Sequence, residues 1–113
     1  MKLVIKDVPK SPNRVLGHHW SVKAGEKDKW VLLIRSAFLP SGACREKVRV
    51  AITVWNTVAR DSDNLHASVK PVLDALKHWH LVRDDSPEWI DLDVQQELCS
   101  RKDKRTEIEI APL

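Results

Sequence analysis

The sequence predicts an α+β fold, a two-layer sandwich in which a small mixed sheet of about four strands carries two main helices on one face, in the order β-α-β-α-β-β. Three observations carry that expectation. Residues 47–58 set Val48, Val50, Ile52 and Val54 at period two with β-branched residues throughout, the clearest strand in the chain. Two long segments instead place apolar residues at helical spacing, at 30, 31, 34, 37 and 38 and again at 65, 69, 72, 73, 76 and 79. Two further alternating segments follow the second of these.

Taken in order, residues 2–6 carry Val4 and Ile5 and read as a first strand. Pro9-Lys10-Ser11-Pro12-Asn13 then breaks regular structure, because two prolines remove donors and fix φ. Gly17-His18-His19-Trp20 extends that loop to Ser21, the expected N-cap of a helix over residues 22–38. Lys23, Lys27 and Lys29 fall on the other side of this helix, and Pro40-Ser41-Gly42 ends it. The second helix is expected from Asp63 to His80, with Pro71 removing one backbone bond and kinking it. Residues 90–99 alternate Leu92, Val94 and Leu98, and residues 105–110 alternate Thr106, Ile108 and Ile110. The polar run Arg101-Lys102-Asp103-Lys104 between them reads as a solvated hairpin turn, with phosphate contact as the alternative.

At 113 residues the chain is expected to be a single domain, residues 1–113. Hydrophobic residues make up 42% and charged residues 31%, a soluble globular balance that leaves no stretch for a membrane span or signal peptide. The formal net charge of +3 permits a polyanionic partner without requiring one. Its distribution says more. Lys and Arg are scattered along the chain, whereas Asp61, Asp63, Asp74, Asp84, Asp85, Glu88, Asp91 and Asp93 gather in one third of it. Basic surface with a local acidic patch suits a nuclease, where cations on the protein grip phosphates and acids hold metal ions. Cys44 and Cys99 have neither CxxC nor Cys/His spacing, so a reducing cytoplasm is the expected compartment.

The acids of residues 60–85 are the candidate site. Asp61 and Asp63 are two apart at a strand's end, so on extended backbone their side chains point the same way. Converging carboxylates repel unless a cation lies between them, and oxygen donors suit Mg²⁺ or Mn²⁺ rather than zinc. The alternative is that Asp63 caps the second helix, with Asp61 and Ser62 as turn residues. On a continuous helix, positions 63, 70 and 74 fall within about 20° of one another, with His66 nearby. Lys70 and Asp74 then form either an ordinary solvated i, i+4 pair or a lysine that meets a phosphate beside a metal.

Arg60-Asp61-Ser62-Asp63-Asn64-Leu65, then Lys70-Pro71-Val72-Leu73-Asp74-Ala75-Leu76, then Leu81-Val82-Arg83-Asp84-Asp85, resembles the RusA family of Holliday junction resolvases. The loop Pro9–Asn13 with His19-Trp20 is similar to that family's N-terminal Pro/Asn-rich loop. The resemblance implies a homodimeric, Mg²⁺-dependent endodeoxyribonuclease that cuts four-way DNA junctions in recombination and repair, in a bacterial or phage-infected cell. It assigns metal binding to Asp61, Asp63 and Asp85 and an essential role to Lys70, and it leaves Asn64, Asp74 and Asp84 as residues that would support those acids. Arg60, Lys10, Arg14, His19 and Lys102 are the expected DNA contacts. Lys70 follows Asp63-Asn64 about one helical turn, about 5 Å, later than in the best-known member. A helix over 63–78 would separate its ends by about 22 Å, so Asp85 must return along it through residues 79–84 or come from another subunit.

Five tryptophans stand at 20, 30, 55, 79 and 89. Trp30, Trp55 and Trp79 lie in periodic segments and are expected in the core; Trp20 and Trp89 lie in or beside loops, where a DNA contact competes with packing. The rival readings are a nuclease for other branched or single-stranded DNA, and a non-catalytic nucleic-acid-binding module in which the acids only cap a helix.

Overall fold

The β-branched alternation of residues 48–56 forms the strand to which both longer neighbours pair. The computed structural model describes residues 1–10, 20–38 and 42–113, with residues 20–24 by their main chain alone. Arg14 and His19, with the rest of residues 11–19 and with Pro40-Ser41, lie outside the described residues. The elements are β1 (Lys2–Ile5), α1 (Trp20–Arg35), β2 (Val48–Asn56), α2 (Ser62–Ser68), α3 (Lys70–His78), β3 (Ile90–Leu98), a 3₁₀ turn (Arg101–Asp103) and β4 (Arg105–Pro112). The fold is α+β with one mixed four-stranded sheet, in the order β1-β4-β2-β3.

β4 runs antiparallel to both β1 and β2, whereas β3 runs parallel to β2. The hairpin expected at residues 101–104 is therefore not there: β3 and β4 lie on opposite sides of β2 and do not pair. Their connection crosses the end of β2 through a 3₁₀ turn, closed by Asp103 N–H donating to Ser100 C=O at 3.0 Å. The parallel pairing follows from α2 and α3, which give the chain the long crossover that a parallel neighbour requires. β3 is consequently an edge strand, and Asp91, Asp93 and Glu97 stand exposed along it, a charge pattern that discourages edge-to-edge pairing.

One face of the sheet meets the helices. Val50, Ile52, Val54 and Ile108 from the sheet, Trp30 and Ile34 from α1, and Val69, Val72 and Leu76 from the second helical segment form the centre of the core. These are the positions that the two periodicities mark out. Trp30 is fully buried and donates its indole N–H to Glu26 Oε1 at 3.1 Å. Among the described residues no helix of the core packs on the opposite face. Trp55 lies there half-buried rather than in the core, donating to Glu107 Oε2 at 2.7 Å beneath the Arg105 guanidinium. Trp79 is part-buried at the core's edge, where its indole donates to Val31 C=O at 2.7 Å.

The helical boundaries differ from expectation, and the first helix also stops at Arg35 rather than at Phe38. α1 begins at Trp20, one residue before Ser21. The second helix is two helices, α2 and α3, meeting at Val69. Proline explains the break: in a continuous helix Pro71 would have no N–H for the carbonyl of residue 67, and its ring would collide with that carbonyl. At the first turn of a new helix the missing donor is harmless. Ser68 Oγ–H meets Leu65 C=O at 2.7 Å and satisfies a carbonyl near the break.

α3 ends in a reversal that shapes the site. His80 adopts a left-handed conformation, with φ of 59°. Its N–H donates to Lys77 C=O and the Leu81 N–H to Leu76 C=O, each at 3.0 Å, the paired bonds of a Schellman cap. Leu81 and Val82 are buried, so the chain after the cap is pinned as it turns back. Among the described residues no helix is long and apolar enough to cross a membrane.

Candidate active site

The site begins where β2 ends. Arg60 is fastened to β3 by Gln96, whose Oε1 accepts from Arg60 N–H at 2.9 Å and whose Nε2–H donates to Arg60 C=O at 2.6 Å. The signal for Gln96 in the sequence is that it is the polar member of an otherwise apolar series on β3, at 90, 92, 94, 96 and 98. The Arg60 side chain is part-buried, and its Nη1 has no hydrogen-bond partner among the described residues. Burial pulls its pKa below the ordinary guanidinium value.

Asp61 sits in extended backbone and is the N-cap of α2. Its Oδ1 accepts from Asn64 N–H at 2.8 Å and its Oδ2 from Asn64 Nδ2–H at 3.1 Å. The helix-capping role weighed for Asp63 thus belongs to Asp61, and Asp63 occupies the first turn of α2 with its side chain exposed. Asn64 orients the Asp61 carboxylate from both sides.

Lys70, the first residue of α3, gathers the second half of the site. Its Nζ lies 2.9 Å from Asp74 Oδ1, one turn later, and donates a hydrogen bond to Asp85 Oδ2. The chain does return along the helix through residues 79–84, because Asp85 meets α3 at its start rather than at its end. Its neighbour Asp84 is held separately, by Lys77 Nζ at 3.0 Å and by the Asp85 N–H at 2.8 Å. The Lys70 pKa is raised, first by the Asp85 hydrogen bond and also by Asp74, with desolvation opposing. Lys70 is therefore a fixed ammonium at neutral pH, suited to stabilising negative charge and unsuited to accepting a proton.

The structure brings Lys70, Asp74 and Asp85 together and holds Asp61 with Asn64, but it does not merge the two groups. Arg60, next to Asp61, is fixed at the level of Gln96, whereas Asp85 shares a recess with Ile90, Asp91 and Leu92. Leu92 and Gln96 are four residues apart, about 13 Å along a strand. Among the described residues no three His, Cys, Asp or Glu side chains are grouped to hold a metal ion.

Of the expected DNA contacts, Lys10 is tied to α1: its N–H donates to the buried Glu26 at 3.3 Å and its Nζ lies 3.8 Å from the same carboxylate. Lys102 is exposed on the 3₁₀ turn. No protein-family model matches the chain, and no curated protein matches it.

Proposed function

We propose that the protein is a divalent-metal-dependent endodeoxyribonuclease acting on branched DNA, with four-way junctions as the substrate and a homodimer as the working form, in bacterial or phage DNA recombination and repair. The observation that carries the reading is the grip of Asp74 and Asp85 on the Lys70 ammonium. Residues from two separate stretches of the RusA-like pattern converge there on one cation.

The donor chemistry fits Mg²⁺. Asp61, Asp63 and Asp85 offer hard oxygens only, Asp63 is exposed, and Asp85 meets Lys70 through Oδ2 alone. Asp61 and Asp63 would hold the ion, with Asp85 as the third acid; bound there, Mg²⁺ would polarise a phosphoryl oxygen and lower the pKa of a coordinated water. Asn64 fixes the carboxylate of Asp61. Asp74 and Asp85 hold the Lys70 ammonium where it can meet charge on a phosphate or leaving oxygen. Two sites related by two-fold symmetry would suit the paired strands of a junction.

The second reading, a nucleic-acid-binding module without catalysis, draws on Asp61 serving as a helix cap and on the separation of Asp61 and Asp63 from Asp85. Labelled four-way, flapped and linear DNA incubated with the protein and Mg²⁺ separates the two. Metal-dependent nicking of the four-way substrate, lost in Asp63→Asn with binding retained, is the expected result. Equal cleavage by that variant would sink the mechanism.

A further inference from the structure

The turn that delivers Asp85 to Lys70 also builds a recess of about 320 Å³ against the free edge of β3, lined by Lys47, Asp85, Pro87, Ile90, Asp91 and Leu92. Its charges are unequally matched. Asp85 is bonded to Lys70, and the Asp91 carboxylate lies 3.6 Å from Arg49 Nε. Lys47 has no acidic partner within 4.0 Å among the described residues, so it is the lining cation left free to meet a ligand, beside two carboxylates that already have basic partners. Arg83 likewise lacks an acidic partner among the described residues; it stacks on Trp89, 4.0 Å from the ring centre, and reaches Arg45 C=O.

The edge strand adds directional groups. Trp89 C=O accepts from Val48 N–H, while Ile90 N–H turns away from β2 to Ser86 C=O. With that phase, even-numbered residues of β3 direct their main-chain groups outward, and the Leu92 N–H and C=O face the free edge. Exposed Pro87 and part-buried Leu92 supply an apolar surface, which an inorganic anion would leave unused.

We infer that this recess is a subsite for a single unpaired deoxynucleotide, its phosphate on Lys47, its sugar and base against Pro87 and Leu92, and its base edge on the β3 main chain. The volume lies at the small end of ligand pockets and suits a mononucleotide. The inference deepens the nuclease reading and rests on it for the role of the subsite, because the recess shares Asp85 with the Lys70 group and would seat a nucleotide flanking the cleaved bond.

The test uses thymidine 5′-monophosphate as the probe, followed by amide NMR shifts in metal-free buffer. The expected result is saturable shifts at Asp85, Asp91 and Leu92, weakened about tenfold in Lys47→Ala, as loss of one charged contact implies. Absence of these shifts, or identical shifts from inorganic phosphate alone, would overturn the inference, as would full affinity in Lys47→Ala. Nucleotide binding that persists while no DNA is cut would fail the nuclease reading alone. Cleavage without nucleotide binding would fail the subsite alone.

Discussion

The ammonium of Lys70 is bonded to the carboxylate of Asp85, fifteen residues further along the chain. The helix start and the returning loop are thereby joined at one charge, which Asp74 also contacts. The pair is too exposed, with Lys70 at 59%, to carry much stability. Lys70→Ala is expected to lower stability by about 0.5 kcal/mol after solvent screening, yet to reduce cleavage by about a hundredfold or more. Urea unfolding and nicking rates measured on the same preparation check both halves, and parallel losses would point to a merely structural lysine.

Asp61 offers a cleaner separation of roles. Asp61→Asn keeps a side-chain acceptor for Asn64 N–H and should fold almost as stably as the parent, whereas Asp61→Ala should lose about 1 kcal/mol of cap energy. Both should abolish metal-dependent cleavage. Calorimetric titration with Mg²⁺ adds a second measure: uptake unchanged in Asp61→Asn would favour the binding-module reading.

The pH dependence of the neighbouring pair follows from two shifts. Asp84 is held below its ordinary value of 3.8, chiefly by the hydrogen bond from Lys77, so its contribution is present above that value and lost as pH falls through the lowered one. Lys77 is raised above 10.5, chiefly by Asp84, so its contribution is present below that value and lost as pH rises through the raised one. The Tm difference between the parent and Lys77→Ala should therefore be flat from about pH 4 to pH 10 and shrink outside that window. Thermal melts across the range check this.

His80 occupies a left-handed position that glycine holds without penalty. His80→Gly is expected to stabilise the fold by about 1 kcal/mol, read as a higher urea midpoint with an unchanged slope. An unchanged midpoint would mean that the imidazole makes a compensating contact.

Glu26 is buried at 4% exposure and accepts from the Trp30 indole while facing Lys10 and Lys29. Glu26→Ala should cost about 2 kcal/mol or more, because it leaves a buried indole N–H unpaired. Chemical denaturation measures this directly.

Much of this fold is written in local pattern. The alternation of Val48 to Val54 and the spacing of Leu65, Val69, Val72, Leu73 and Leu76 mark their buried faces, because burial imposes those periods. What eluded the pattern depended on partners far away in sequence. Residues 101–104 have hairpin chemistry, yet β4 satisfies its hydrogen bonds with β1 and β2, a choice that no local signal records. Trp55 stands at an odd position, out of phase with Val48 to Val54, so the same period puts it on the opposite face, against the core placement that its size suggests. At the site, the Lys70–Asp74 spacing was legible and the Asp85 contact was not, since it is created by the cap at His80. Asp61 and Asp63 are alike on extended backbone; only the position of the first helical turn makes one a cap.

The position of β4 has a consequence for how the molecule assembles. β1 touches the rest of the sheet only through β4, the latest of the sheet's four strands in chain order. A nascent chain that has emerged through β3 can already close β2 onto β3 over its helices, but its first strand has no neighbour to join. The β1–β4 pairing then links residues about a hundred positions apart, and such distant closure is slow. Until residues 105–112 arrive, the same edge of β2 that will receive β4 stays open, so this interval is when the chain is most exposed to pairing with a strand of another molecule.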